Sequence, residues 1–239
     1  MSIVYSKRKE WKPAFYYSQK TVECNPANRT AWWNLGLAAV VLQRWKTMRL
    51  AWQQLGHTQP NLSKWIPVQM AHQRFKEVVW VKPLDLVRAR VESIPHPFSR
   101  RRYGEIILHD RSSIGNLIVE QRQVPIYQEV ELLERSFFDT YSVLLHTNDI
   151  NHIDLLNRLC QKAELGFDNW TNTNQLHANT ARNNKVEYYS KQFFKDASPE
   201  HTPDYHVIGM AAKQKAAIVE VLEAWRIISL CSYSQLERH

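Results

Sequence analysis

Apolar residues recur with a helical period in the N-terminal part of the chain and with a strand-like period further along. Between residues 14 and 56 they return every three or four positions, as in helices that bury one face. This period predicts helices near 13–24, 30–42 and 45–56. Trp32 and Trp52 are expected to be buried between these helices, and Gly36 to let two of them approach closely.

After residue 77 the pattern changes to short β-rich runs separated by prolines and glycines. The runs that predict strands are 78–81, 86–94, 105–109 and 117–127. Two similar strand–helix units follow, at 138–147 with 150–163 and at 205–211 with 213–230. Asn148 and Asp149 are suitable caps for the first of these helices. This half therefore predicts an α+β domain with a mixed or antiparallel sheet and helices on one sheet face.

The change of pattern predicts a helical module over residues 1–76 and an α+β domain over 77–239. Either a further helix within residues 61–79, around Pro67, or the domain that follows is expected to cap this module. An insertion near 167–203 is rich in Asn and Thr and is predicted to be an extended loop or a partly helical segment. With Trp170 near its start, this insertion is either a contact surface or a variable surface loop.

The helical part resembles a tetratricopeptide repeat. Pro26 and Pro60 lie 34 residues apart, the length of one such repeat, and each follows a helical pattern. The sequence from Ala14 to Pro26 is similar to the second helix of a repeat, and Ala31 to Ala38 to the first helix of the next. The resemblance implies N-terminal tetratricopeptide-like helices, but one and a half repeats need another element to cap them.

Charge and cysteine content narrow the functional classes. The net charge is +8, of which residues 1–80 carry +9 and the rest −1, so the basic surface favours an acidic protein or a nucleic acid as partner, or is a solubilising face. Cys24, Cys160 and Cys231 form no Cys-x-x-Cys pair, which fits a reducing cytoplasm. The longest apolar run is too short to span a bilayer, so we expect a cytoplasmic protein that needs no membrane.

Sequence signatures of catalysis and nucleotide binding are absent, including phosphate-binding glycine loops and zinc-protease helices. The segment from His146 to Asp154 mixes histidines with carboxylates, which could hold a metal, but Asn148 and Asp149 are also what a helix start requires. We therefore expect no metal, no cofactor and no enzymatic activity. Arg100 to Arg102 could bind phosphate or form a solvated turn, and because an RNA-binding signature is absent we do not expect nucleic acid as the partner.

Two further stretches, Trp80 to Asp110 and Leu144 to Asp149, are similar to bacterial tetratricopeptide proteins that serve as immunity proteins against polymorphic toxins of the Rhs or type VI secretion kind. The resemblance implies a protein that binds one cognate toxin domain, one to one, and occludes its active site. ADP-ribosyltransferases are one toxin class that fits, and the sequence does not choose among classes. A cytoplasmic adaptor or secretion chaperone is the alternative, and an enzyme built on the His146 to Asp154 cluster ranks third.

No family motif assigns contact residues, so the interface is predicted from basic and aromatic side chains. The predicted partner-binding residues are Trp33, Arg44, Trp45, Lys46, Arg101, Arg102, Tyr103 and Trp170. The first four belong to the helical part, and the others to the α+β part.

Overall fold

The computed structural model describes residues 2–57, 64–70, 77–119, 122–171, 176–179, 187–190 and 205–239. The chain divides into two compact units, Met1–Asn61 and Leu62–His239. The division lies earlier than the boundary predicted after residue 76, because the strand that starts at Ile66 pairs within the second unit.

The first unit is helical. Its helices are α1 (Ser2–Lys7), α2 (Trp11–Cys24), α3 (Arg29–Val41) and α4 (Trp45–Gln54). The last three lie where the apolar period predicts them. Asn28 caps α3 by accepting a hydrogen bond from the backbone N–H of Ala31 at 3.0 Å.

Gly36 and Trp52 set the distance between α3 and α4. A Cβ atom added at Gly36 would lie 2.4 Å from Cζ3 of Trp52, so only glycine accommodates the indole at this position. Trp52 is buried as predicted, and its ring centroid is 5.1 Å from that of Trp33. Trp32 is half-buried and donates its indole N–H to the carbonyl oxygen of Pro26 at 2.8 Å.

The second unit begins with a six-stranded sheet. Its strands are β1 (Ile66–Gln69), β2 (Val78–Pro83), β3 (Arg88–Val91), β4 (Ile106–His109), β5 (Gly115–Val119) and β6 (Arg122–Glu134). Five of them close into a barrel in the order β1-β2-β3-β4-β6, because β1 also pairs with β6, in parallel, at Val68 with Tyr127. β5 pairs with β6 outside this ring. Small and branched side chains such as Val81, Ala89 and Val91 fill the core cluster of these strands.

The predicted fold class, tetratricopeptide-like helices followed by an α+β domain with a mixed or antiparallel sheet, is wrong, because these strands form a closed barrel. The helix predicted around Pro67 is wrong as well, since Ile66–Gln69 is strand β1. Pro67 has no N–H to donate, but at this position β1 pairs with β2 alone. The pairing of β1 with β6 begins one residue later, at Val68 and Gln69, so the strand tolerates the proline.

A second, four-stranded antiparallel sheet follows the barrel within the same unit. Its elements, in chain order, are β7 (Asp139–His146), α5 (Ile150–Lys162), β8 (Gly166–Asn169), β11 (His206–Ala212), α6 (Lys215–Ser229) and β12 (Ser232–Arg238). The strand order is β12-β7-β11-β8, which makes a β-α-β-β-α-β arrangement of the ferredoxin-like type. Both predicted strand–helix units are present, and β8 and β12 complete them.

The helices α5 and α6 cover one face of this sheet. Tyr141, Val143 and Leu145 of β7 point toward them and share a core cluster with Trp225, which is fully buried. The alternate residues of β7, such as Ser142 and Leu144, therefore lie on the opposite face, which we call the open face.

The predicted polar insertion lies partly outside the described residues. Its start is strand β8 and not a loop, and a separate hairpin pairs β9 (Leu176–Asn179) with β10 (Glu187–Ser190). The remaining residues between 172 and 204 lie outside the part of the chain that the structure describes.

Candidate functional site

A cleft of about 710 Å³ lies where the end of β6 and the start of β7 meet the segment between β3 and β4. We call it the arginine cleft. It is lined by Pro97, Arg100, Arg101, Arg102, Glu105, Leu132, Arg135, Ser136, Phe137, Thr140 and His239. A neighbouring cleft of about 520 Å³ shares Pro97 and His239 with it and extends over the open face of the four-stranded sheet.

A short 3-10 helix, Pro97–Ser99, forms one wall of the arginine cleft. His96 precedes it, and Pro97 supplies a fixed φ at its first position. Arg100 ends the helix in the left-handed conformation, with φ 57° and ψ 24°, and its N–H donates to the carbonyl oxygen of Pro97 at 3.2 Å. A non-glycine residue in this region is held there by its surroundings, so the backbone fixes where Arg100 projects from the wall.

Two of the three consecutive arginines hold the wall in place through carboxylates. Arg101 donates from Nε to Oε1 of Glu129 at 2.6 Å, and the Glu129 side chain is 1% exposed. Arg102 pairs with Asp139 at 2.8 Å, and Arg238 binds the other oxygen of the same carboxylate at 2.6 Å. Arg101 and Arg102, predicted from the sequence as partner-binding residues, thus attach the segment to β6 and β7.

Tyr103 and Trp170 connect the barrel to the four-stranded sheet. The Tyr103 ring makes an edge contact with Phe138, with centroids 5.2 Å apart, and lies against the backbone of Gly166. Trp170 covers Gly209, where an added Cβ would lie 2.4 Å from the indole, and donates its N–H to the carbonyl oxygen of Ile94 at 3.0 Å. Both predicted contact residues therefore also pack within the unit.

The cations available to a ligand are Arg100 and Arg135. Both side chains are exposed, and neither forms an ion pair with any of the residues that the structure describes. Phe137 lies between β6 and β7, beside Arg135, and is 87% exposed. Guanidinium groups next to an exposed aromatic ring can bind a carboxylate through paired hydrogen bonds while the ring covers apolar surface.

Besides Glu129, two further buried carboxyl groups lie close to this wall. Glu105 accepts a hydrogen bond from the backbone N–H of Arg102 at 3.1 Å, and burial raises its pKa. Glu77 accepts one from the backbone N–H of His96 at 2.9 Å, directly before the 3-10 helix. Burial raises the pKa of Glu77 to about 7. Glu77 therefore anchors the wall from the barrel side.

Replacement of Glu77 by glutamine should stabilise the protein in mild alkali. Because the folded-state pKa is raised to about 7 from 4.5, the folded protein retains a proton that the unfolded chain has released. Stability is therefore lost as the pH rises through this window. The neutral amide of Glu77→Gln still offers an oxygen to the His96 N–H, so we expect a gain of about 2 kcal/mol near pH 8 and a small difference near pH 5.

Urea unfolding at these two pH values measures this effect. Exposed Glu23, whose carboxylate pairs with Lys20 on the surface, provides the control variant Glu23→Gln. An equal gain for both variants, or a gain at the lower pH only, would contradict burial of an ionisable Glu77.

The four predicted contact residues of the helical unit differ in exposure. Trp33 is half-buried against Trp52, and the guanidinium of Arg44 lies 5.7 Å from the centre of the Phe15 ring. Trp45 is 37% exposed, and Lys46 is exposed. Arg44 is exposed as well, so Arg44, Trp45 and Lys46 are more open to a partner than Trp33 is.

The His146 to Asp154 cluster contains a helix cap. Asp149 accepts the N–H of Asn151 at 2.8 Å and begins α5, as the capping interpretation predicts. His146 hydrogen-bonds Ser234 instead of joining His152. Among the described residues, no group of three histidine, cysteine or acidic side chains could hold a metal ion.

Four residues around the cleft are not predicted by the sequence pattern: Arg135, Phe137, Glu77 and His239. The sequence signal for two of them was the interruption of a strand pattern by Arg135-Ser136-Phe137. The positions of Glu77 and His239 depend on pairings between distant strands, which local patterns do not specify.

Comparisons with known proteins add little. No family model matches the chain, and no curated protein matches it. Among solved structures, it is similar to a hypothetical protein from Neisseria gonorrhoeae, with 8% sequence identity and a TM-score of 0.30 over 74% of this chain and 95% of that one. A similarity this weak assigns neither a fold nor a function. No helix in the described part of the chain has the length and apolar character needed to cross a membrane.

Proposed function

We propose that this chain is a cytoplasmic, non-enzymatic immunity protein that binds one cognate antibacterial toxin domain, one to one, and occludes its active site. One observation carries the proposal: the arginine cleft presents two exposed arginines beside a phenylalanine that is 87% exposed. Arginine and aromatic side chains dominate the binding energy of protein interfaces.

The cleft wall is rigid, which supports a binding role for the exposed side chains of the arginine cleft over a purely structural one. Arg101 and Arg102 fix the wall through Glu129 and Asp139, and Arg100 projects from a constrained backbone. A preorganised surface loses less side-chain and loop freedom on association, which favours affinity. The toxin surface that fits it carries carboxylates next to an apolar depression. Trp45 and Lys46 of the helical unit are proposed as accessory contacts, with lysine mainly accelerating the encounter.

Co-expression tests the proposal directly. The product of the neighbouring gene is produced in a bacterial host alone and together with this chain. We expect it to arrest growth alone, to be neutralised by this chain, and to co-purify with it as a one-to-one complex by light scattering. A harmless neighbour, or a toxic one that does not co-purify, would refute the proposal, and the same chain binding several unrelated clients would favour an adaptor.

A further inference from the structure

A thiol, an imidazole and a carboxylate meet where α6 ends and α5 begins, on the side of the sheet that the helices cover. Sγ of Cys231 lies 3.3 Å from Nδ1 of His152. Nε2 of the same ring lies 3.9 Å from Oδ2 of Asp149. Cys231 is partly exposed and packs against the core cluster of this sheet, its Sγ also lies 3.5 Å from the carbonyl oxygen of Ser229, and the His152 side chain is 31% exposed.

Neighbouring groups hold the imidazole in this position. Oγ1 of Thr147 lies 3.0 Å from Nδ1, and the backbone carbonyl of His152 accepts the indole N–H of Trp225 at 2.8 Å. The backbone N–H of Asp149 donates to Oγ1 of Thr147 at 3.2 Å, which holds this oxygen beside the ring. The nearby carboxylate favours a proton on Nε2. Nδ1 therefore carries the one lone pair of the ring, which the Thr147 hydroxyl at 3.0 Å and the thiol at 3.3 Å share, and it takes the thiol proton when the hydroxyl turns away.

We propose that Cys231 is a reactive thiol that His152 deprotonates, and that it exchanges with small disulfides to form a reversible mixed disulfide. A nucleophile within hydrogen-bond reach of a base, with the base oriented by a third group, is the arrangement that activates cysteine. Thr147, 3.0 Å from Nδ1, is the positioning residue that orients the ring, and the Asp149 carboxylate, 3.9 Å from Nε2, adds electrostatic attraction to the imidazolium.

The reaction balances without any further oxidant. The S–H proton of Cys231 moves to Nδ1 of His152, and the sulfur attacks one sulfur of the disulfide R–S–S–R. A bond forms between Sγ and that sulfur while the S–S bond of the reagent breaks. The leaving thiolate takes the proton from the imidazolium and departs as R–SH. Cys231 is thereby oxidised, and half of the reagent is reduced.

The other two cysteines provide internal standards. Cys24 is exposed, at the end of α2, and represents an accessible thiol in a different setting. Cys160 is fully buried in the core under α5, and burial raises its pKa to about 12. Reactivity at Cys160 therefore reports loss of the fold. The order expected from exposure alone is Cys24 before Cys231, and activation by His152 predicts the reverse.

The experiment treats the folded, full-length chain with 2,2′-dithiodipyridine, a neutral disulfide, and follows each cysteine by mass spectrometry of peptides. We expect Cys231 to react about five- to tenfold faster than Cys24 near neutral pH. An unassisted thiol is only a few per cent thiolate at this pH, so assistance by a base can raise the rate strongly, but a more acidic thiol is also a somewhat weaker nucleophile, which limits the gain. Cys160 should stay unmodified. A rate at Cys231 equal to or below that of Cys24 overturns the proposal.

Two variants separate activation from exposure. His152→Gln retains a polar side chain but no base, and should bring Cys231 down to the rate of Cys24 or below, with Cys24 unchanged. Asp149→Asn keeps a good helix cap and removes the carboxylate, so we expect a smaller decrease. An unchanged Cys231 rate in His152→Gln, with Cys160 still protected, would also overturn the proposal. If Cys160 reacts in His152→Gln, that variant has lost its fold. The proposal is then judged by the ratio of the Cys231 and Cys24 rates in the wild-type protein and by the Cys231 rate in Asp149→Asn.

Discussion

Glutamate at both Arg100 and Arg135 should abolish tight binding of the toxin domain, weakening it by about 100- to 1000-fold. Each arginine is exposed at the arginine cleft, and removal of a charged interface residue of this kind commonly costs about 2 kcal/mol or more. Reversal of the charge adds repulsion from the acidic partner surface. Neither side chain pairs with a carboxylate in the described residues, so the fold should remain intact.

A matched control tests whether overall charge alone explains the loss. Arg44→Glu with Lys46→Glu changes the net charge by the same amount in the helical unit. We expect this pair mainly to slow association and to reduce its salt dependence, with a smaller loss of affinity. Surface plasmon resonance at two salt concentrations measures both pairs. Equal losses for the two pairs would contradict the arginine cleft as the main contact.

The exposed aromatic ring is tested in the same assay. Phe137→Ala should increase the dissociation rate while association changes little, because apolar anchors act mostly after the encounter. Ile227→Ala, on the outer side of α6, is the control, since Ile227 is also exposed, at 67%, and lies outside the cleft.

Valine at Gly36 should destabilise the helical unit by more than about 3 kcal/mol, at the upper end of the range for overpacked cores. An added Cβ lies 2.4 Å from Cζ3 and 2.5 Å from Cη2 of the Trp52 ring, so either the indole or the helix must move. Helix propensity alone favours alanine over glycine. If Trp52 did not contact Gly36, Gly36→Ala would therefore stabilise the helical unit, whereas the contact predicts that it destabilises the unit.

Urea unfolding with segment-resolved hydrogen exchange checks this effect in α3 and α4. Gly56→Ala is the control for backbone strain, because Gly56 has φ +79° but nothing within 4 Å of an added Cβ. We expect a loss of about 1 kcal/mol there. The double variant Gly36→Ala with Trp52→Leu should be more stable than the sum of the two single losses predicts, because the smaller leucine makes room for the added Cβ. Strictly additive losses would refute a direct contact between the two residues.

Local patterns predicted the elements whose stability depends on neighbours in sequence. The helices around Ala14 to Gly56 show an apolar face with a regular period, and Asp149 begins α5 because its side chain reaches a backbone N–H only two residues away. Gly36 was expected to permit close helix packing, and its contact with Trp52 has that geometry.

The sequence by itself therefore determined α2, α3 and α4 of the first unit, the strands β2, β3, β4, β7 and β11 of the second, and the cap at Asp149, but not α1 or the strands β1, β8 and β12. Only the tertiary structure decided that β1 closes a barrel on β6, since the Val68 and Tyr127 pairing joins segments far apart in the chain. It also decided that Arg101 and Arg102 bind carboxylates of β6 and β7 while Arg100 and Arg135 stay exposed. All four are arginines in polar segments, and what separates them is which distant carboxylate the folded backbone brings within reach.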